Sequence, residues 1–153
     1  MSEQRTTHWS RDQALGMLGH LAVVIARNRA LDSGLHDLAD WQIELLEGHG
    51  YYSERAADNA EPLIQFVEEF VRGRGLIYDE ISVKWHGETA VVESKMWFSE
   101  ELPEVFFYFD ISLEEFAAYA KALAEAHARA CGFMARIEHV EGIERAQISL
   151  LQP

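Results

Sequence analysis

The feature that most constrains the fold of this chain is a change in hydrophobic period near Ile77. Before this residue, apolar side chains recur every three or four positions, which is typical of amphipathic helices. After it, the apolar spacing becomes a multiple of two, the period of a strand with one buried face, at Ile77, Ile81, Val83 and Trp85. Because helices and strands are segregated along the chain, we expect an α+β fold rather than alternating β-α units.

Three helices are predicted in the first half of the chain. Residues 1–8 are expected to form a loose polar tail, and Ser10 can cap the first helix. Pro62 lacks an N–H group and is tolerated only near the start of a helix, so it begins the main part of the third one. The predicted helices run from Ser10 to Asp32, over residues 35–47, and over residues 54–72 with the main part from about Glu61.

Five strands and one helix are predicted in the second half. Two hairpins turn at Gly87 and Gly142, and Ser112 with Glu115 forms a capping box that starts a helix ending at Cys131. The apolar run over residues 105–110 is predicted to be a strand buried on both faces. The expected order is therefore three helices followed by β-β-β-α-β-β, an antiparallel sheet with helices on one face. The other face is expected to carry Trp97, Phe106 and Tyr108, which suggests that it is covered too, by the N-terminal helices or by a second subunit. The predicted segments are 77–98 for the first hairpin, 113–131 for the helix, and 133–141 with 143–151 for the closing hairpin.

One domain of 153 residues is expected, because no repeat, low-complexity tract or flexible linker interrupts the chain. Asp and Glu number 26 against 13 Lys and Arg, a formal net charge of −13. Such a charge repels phosphate backbones and anionic membrane surfaces, so we expect neither nucleic-acid nor membrane partners. The lone Cys131 excludes an internal disulfide. The polar N-terminus lacks the apolar core of a signal peptide, and the longest apolar run of the first helix, residues 21–26, is too short to span a membrane. A soluble cytoplasmic protein is expected.

A histidine and the sole cysteine stand one helical turn apart near the end of the last helix. His127 and Cys131 have i,i+4 spacing on the apolar stripe, and a histidine beside a thiol can stabilise a thiolate nucleophile. The negative end of the helix dipole opposes this, and buried cysteine often serves as a small apolar side chain. Glu138 would be a general acid or base if it faced a pocket, and a charged strand edge otherwise. These three residues are the candidate catalytic set.

Aromatic residues make up 11% of the chain, which favours an aromatic-lined cleft between helices and sheet as a small-molecule site. Ordinary core packing or a dimer interface is the alternative. The candidate ligand-binding residues are Trp41, Trp85, Trp97, Phe107, Phe109 and Phe116.

A metal site is not expected. His36 and Asp40 have a spacing that suits chelation from one helix face, but such pairs arise by chance in an acidic chain. The sequence has no His-Glu-x-x-His motif, no Glu-x-x-His pair on its helices, no Gly-rich phosphate loop and no Cys-x-x-Cys pair. We therefore expect no metal ion and no cofactor.

Three segments carry a family resemblance: a helix over residues 63–71 that runs into a Gly-rich turn, the long hairpin, and a helix that enters the closing hairpin at residues 132–138. With them, residues 60–151 resemble the vinyl-reductase-like and heme–nitric-oxide-binding-like group of small-molecule-binding domains. The resemblance implies a small-molecule-binding α+β domain that is often a homodimer. The paired cysteines and the heme histidine are missing, since no cysteine follows Cys131 and no histidine lies on residues 61–72. The resemblance therefore implies neither a metal site nor heme.

Three functions are compatible with these patterns. The first is a small-molecule-binding sensor or accessory protein with an aromatic-lined pocket. The second is a small cofactor-independent enzyme that uses histidine and glutamate acid–base chemistry or thiol chemistry. The third is a structural module whose aromatic strand face binds a partner protein or a second copy of the chain.

Overall fold

The computed structural model describes residues 2–31, 35–53 and 62–151, including the side chains of 11–31, 37–53 and 62–151. The α+β class predicted from the change of period is confirmed. The helices with described bounds are α1 (Ser2–Ala30), α2 (Leu35–Gly48), α3 (Leu63–Arg74), α4 (Glu104–Tyr108) and α5 (Leu113–Ala130), and residues 51–53 are also helical. The strands are β1 (Asp79–His86), β2 (Thr89–Lys95), β3 (Phe133–Val140) and β4 (Ile143–Leu150), and a 3₁₀ turn spans Trp97–Ser99.

The four strands form one antiparallel sheet in the order β1-β2-β4-β3. Both predicted hairpins are confirmed, with Gly87 and Gly142 in the turns at φ +61° and +78°, a conformation that favours glycine. The pairing of β2 with β4 joins the two hairpins. One face of the sheet is buried under helices through Ala90, Val92, Ser94, Phe133, Ala135, Ile137, Glu144, Ala146 and Ile148.

The predicted strand over residues 105–110 is wrong, and the sheet has four strands rather than five. Pro103 precedes a short helix, α4, in which Phe106 is buried while Phe107 and Tyr108 are 82% and 70% exposed. A run of five apolar residues does not distinguish a buried strand from a helical turn, and here the proline favours the helix start. The residues expected to project from the second sheet face do not lie on the sheet: Trp97 is in the 3₁₀ turn, and Phe106 and Tyr108 are in α4. That face instead carries polar side chains such as Arg145 and Gln147, which are exposed.

The first helix begins earlier than the predicted cap at Ser10, because α1 starts at Ser2 and includes most of the segment expected to form a loose tail. Residues 2–9 contain neither glycine nor proline, so nothing in them stops a helix from extending toward the N-terminus. The predicted start of the third helix is close to the observed one. Pro62 directly precedes α3 and accepts hydrogen bonds from the amides of Gln65 and Phe66. The first part of that prediction, residues 54–61, lies outside the described residues.

Two apolar clusters build the core, and α5 contributes to both. Its start is fixed by the predicted capping box, in which Ser112 and Glu115 exchange hydrogen bonds of 3.0 and 3.1 Å. The helical cluster joins α1, α2, α4 and α5 through Leu18, Ala22, Ile25, Leu38, Phe98, Phe106, Ile111, Phe116 and Tyr119. The sheet cluster joins α3 and the end of α5 to the strands through Phe66, Val67, Val92, Ala128, Phe133, Ile137 and Ile148.

Candidate functional site: a cavity between the helices

A cavity of about 690 Å³ lies between the two apolar clusters, walled by α1, α2, α3 and α5 together with residues after α2 and α3. Its lining takes Phe116 and Tyr119 from the helical cluster and Phe66 from the sheet cluster. Most of the other lining side chains are also aliphatic or aromatic. A volume of this size falls within the range of roughly 300–1,000 Å³ that is usual for small-molecule sites.

Helix α2 supplies an incompletely covered part of the cavity wall. Trp41, Leu45 and Leu46 line the cavity and are 55%, 50% and 41% exposed. Large apolar side chains that remain accessible beside a cavity have apolar surface still to bury. A ligand in the cavity would remove part of this surface from water.

His127 lies at the cavity wall next to Cys131, as the sequence spacing predicts. Its Nδ1 is 2.8 Å from the Tyr52 hydroxyl, and its Nε2 is 3.9 Å from the Cys131 sulfur. The imidazole stacks on Phe66 with ring centroids 6.0 Å apart. His127 and Tyr52 line the cavity, whereas Cys131 packs against the sheet cluster as the C-cap residue of α5. The negative helix end disfavours a thiolate there.

A buried ionic cluster lies beside the cavity, centred on Glu144, which is 1% exposed. Its carboxylate accepts from Arg74 Nε at 2.5 Å and from the Tyr78 hydroxyl at 3.0 Å, and His139 Nε2 lies 3.1 Å away. Burial acts to raise the pKa of Glu144, but the His139 hydrogen bond and the Arg74 charge outweigh it and hold the pKa below its ordinary value. Arg74 and Tyr78 also line the cavity.

Glu144 and Arg74 were not among the site residues predicted from the sequence. The available signal was the alternation of β4, in which Glu144 shares the buried face with Ala146 and Ile148. An acid in that position requires buried partners, because an unpaired buried charge is strongly unfavourable. The sequence does not indicate that the partner, Arg74, stands 70 residues earlier.

Two of the six candidate ligand-binding residues, Trp41 and Phe116, line the cavity. Trp85 lines shallow grooves beside Ile64 of α3 instead. Trp97 donates through Nε1 to the carbonyl of Ile77 at 2.8 Å and stacks under the Arg11 guanidinium, 3.8 Å from the ring centroid.

The remaining candidates point elsewhere. Phe107 and Phe109 are 82% and 39% exposed near α4 and are not part of the cavity wall. Glu138 is exposed on the edge strand β3, paired in register with Arg145, and does not line the cavity. The structure thus brings His127 and Cys131 together but leaves Glu138 on the outer face of the sheet.

The rest of the cavity wall contains few polar groups, and two of them are hydrogen-bonded to each other. The Tyr119 hydroxyl donates to Gln42 Oε1 at 3.0 Å, and both residues line the cavity. Burial raises the pKa of Tyr119, so its hydroxyl stays protonated at neutral pH. A few fixed polar groups in an apolar wall are the arrangement that orients a ligand.

No cluster of three His, Cys, Asp or Glu side chains suited to a metal ion occurs within the described parts of the chain. The His36 side chain of the His36–Asp40 pair lies outside them. Over the same residues, none of the helices combines the length and apolarity needed to cross a membrane.

A Bacillus subtilis (strain 168) protein named YxnB, described as uncharacterized, is 39% identical to this chain over 113 residues. The matched region covers 73% of this chain and 71% of YxnB. No family model and no solved structure matches the chain. The resemblance to the vinyl-reductase-like group therefore stays a prediction.

Proposed function

We propose that this chain, which belongs to the same family as the Bacillus subtilis protein YxnB, binds a small, partly apolar molecule and acts as a sensor or accessory protein. The observation that carries the proposal is the 690 Å³ cavity between the helices, with its aromatic wall and half-exposed residues such as Trp41. The cavity is partly open to solvent, and its size and its largely apolar wall are those usual for small-molecule sites, which supports the proposal.

A binding role fits the chemistry of the wall better than a thiol enzyme does. Cys131 lies at the C-terminal end of α5 and outside the cavity lining, and Glu138 is exposed on the far side of the sheet. The second candidate, acid–base catalysis, is favoured by one contact, the 2.8 Å pairing of His127 with Tyr52 in the cavity wall. For that candidate, His127→Ala would abolish an activity while leaving the protein folded.

The uncharged dye Nile red tests the binding role, because its fluorescence rises in apolar surroundings. We expect the wild type to bind Nile red saturably, with a fixed number of dye molecules per chain. Ala120→Trp places a large side chain in the cavity wall and should weaken binding at least about tenfold, the effect of 1.4 kcal/mol. The matched control is Ala118→Trp, at an exposed position of the same helix that does not line the cavity.

Circular dichroism confirms that both variants are folded before their affinities are compared. Equal affinity of the two variants for Nile red, or no saturable binding by the wild type, contradicts the proposal.

A further inference from the structure

The side chains around α4 form an exposed apolar surface outside the cavity wall. Phe107 and Tyr108 are 82% and 70% exposed, Leu102 is 48% exposed, and Phe109 is 39% exposed. We call these four residues the α4 face. Single exposed apolar residues are common on protein surfaces, but several large ones gathered on one short segment mark an interaction site. The α4 face is therefore surface that a partner can cover.

The α4 face is held in place by the buried residues beside it. Phe106 belongs to the helical cluster, and Pro103 is buried at the start of α4. The amide of Ile111 donates a hydrogen bond to the carbonyl of Phe106 at 2.8 Å. The rings of Phe107 and Tyr108 meet edge to face, with their centroids 6.0 Å apart. A surface that is ordered before binding loses less conformational entropy when a partner docks.

The segment that carries the α4 face is acidic. Residues 96–120 include no Lys, Arg or His. The Tyr108 hydroxyl donates to Glu104 Oε1 at 2.8 Å, which holds a negative charge beside an exposed ring. The exposed acidic residues of the segment are Glu100, Glu101, Glu104, Asp110 and Glu114.

Arg29 of α1 adds one positive charge next to this segment but does not balance it. Its Nη2 lies 2.6 Å from Glu115, and its Nη1 lies 3.7 Å from Asp110. The excess negative charge disfavours an anionic membrane surface, and it disfavours a second copy that would bring the same carboxylates against this face. A cationic partner is favoured instead.

We propose that the α4 face docks a cationic segment of a partner polypeptide. Arg or Lys side chains of that segment lie over the rings of Phe107 and Tyr108 and pair with the glutamates around them, and its apolar side chains cover Leu102. A cation is attracted to both groups, because the ring face and the carboxylate are both negative. The α4 face lies outside the cavity wall, so this inference goes beyond the proposed function.

A fluorescein-labelled peptide made of two Leu-Arg-Arg-Leu-Leu-Arg-Leu repeats is the probe, and fluorescence anisotropy measures its affinity. We expect saturable binding to the wild type that weakens as salt is added, because part of the attraction is between exposed charges. The same peptide with Glu in place of every Arg should not bind.

The double variant Phe107→Ala with Tyr108→Ala tests the rings. It should weaken binding of the arginine peptide at least about tenfold, the effect of 1.4 kcal/mol. Both side chains are mostly exposed, so their removal leaves the core intact, which circular dichroism checks. The matched control is Ile64→Ala with Val140→Ala, at positions 59% and 60% exposed outside the α4 face, and it should change the affinity less than about twofold.

Two triple variants of equal net charge test the acidic surroundings. The first replaces three glutamates of the α4 segment by glutamine and should weaken binding at least about fivefold, with a smaller dependence on salt. The second replaces three exposed glutamates of the two hairpins and should change the affinity less than about twofold. The replaced residues are Glu100, Glu101 and Glu104 in the first variant and Glu88, Glu138 and Glu141 in the second.

Five results would overturn this inference. Three come from the peptide: no saturable binding, unchanged affinity in the ring variant, or equal losses in the two glutamate variants. The fourth is a wild-type dimer in sedimentation experiments that the ring variant abolishes, which would make a second copy the occupant. The fifth is binding to phosphatidylglycerol vesicles that the ring variant abolishes, which would make it a membrane. Ala120→Trp should leave peptide binding unchanged, so failure here does not contradict the cavity proposal, and loss of peptide binding in Ala120→Trp would place the peptide in the cavity instead.

Discussion

Glu144→Gln should destabilise the fold by about 3 kcal/mol, because it removes the charge that three neighbours surround. Arg74, Tyr78 and His139 all lie within 3.1 Å of the carboxylate, which is 1% exposed. Breaking a buried ion pair by removing one partner costs roughly 3–5 kcal/mol, since the other charge stays buried. Arg74 retains 17% exposure and glutamine can still accept one hydrogen bond, which places the loss at the lower end of that range.

Urea unfolding followed by circular dichroism measures this loss. For a chain of this size, about 3 kcal/mol corresponds to a fall in Tm of roughly 6–12 °C. The matched control is Glu93→Gln, whose carboxylate lies 3.8 Å from Arg145 on the exposed sheet face, and its cost should stay below about 1 kcal/mol. If the two variants differ by less than about 1 kcal/mol, the buried cluster does not stabilise the fold as argued.

Three further perturbations test other parts of the structure. The difference in free energy of unfolding between wild type and Glu144→Gln should be largest above pH 4.5, the ordinary pKa of glutamate. It should shrink at lower pH, because Glu144 has a lowered pKa in the folded protein and loses its charge there last. A difference that stays constant down to pH 3 in urea titrations would contradict this. Ser112→Ala should cost about 1 kcal/mol by removing the N-cap of α5, measured as a lower urea midpoint, and an unchanged midpoint would show that the cap is dispensable. Gly142→Ala should lower Tm more than Gly87→Ala. Both glycines have positive φ, but only the added Cβ at position 142 would clash, because it would lie 2.5 Å from the Oγ of Ser99. Equal falls in Tm would refute this steric reason.

Local signals made α5 and the two hairpins predictable. The capping box at Ser112 marks the start of α5, and Gly87 and Gly142 mark the turns, so each signal lies within a few residues of the structure it specifies. The aromatic run over residues 105–109 is too short to show a period, and its helical form depends on the preceding proline and on packing against α1 and α5.

The candidate site was predictable only in part, because its walls come from distant segments. The contact of His127 with Cys131 follows from one helix, and Trp41 and Phe116 were singled out for their chemistry. The pairing of Arg74 with Glu144 joins residues 70 positions apart, which no local pattern specifies. The empty volume itself depends on how α2 and α3 are placed against α5.

Native mass spectrometry of freshly purified protein tests the ligand site most directly, using the wild type and the Ala120→Trp variant side by side. We predict that the wild type carries a co-purified small molecule, or takes up one molecule of added Nile red per chain, and that Ala120→Trp carries less. Wild type that stays at its bare chain mass with Nile red present, or equal loading of both proteins, would contradict a ligand site between the helices.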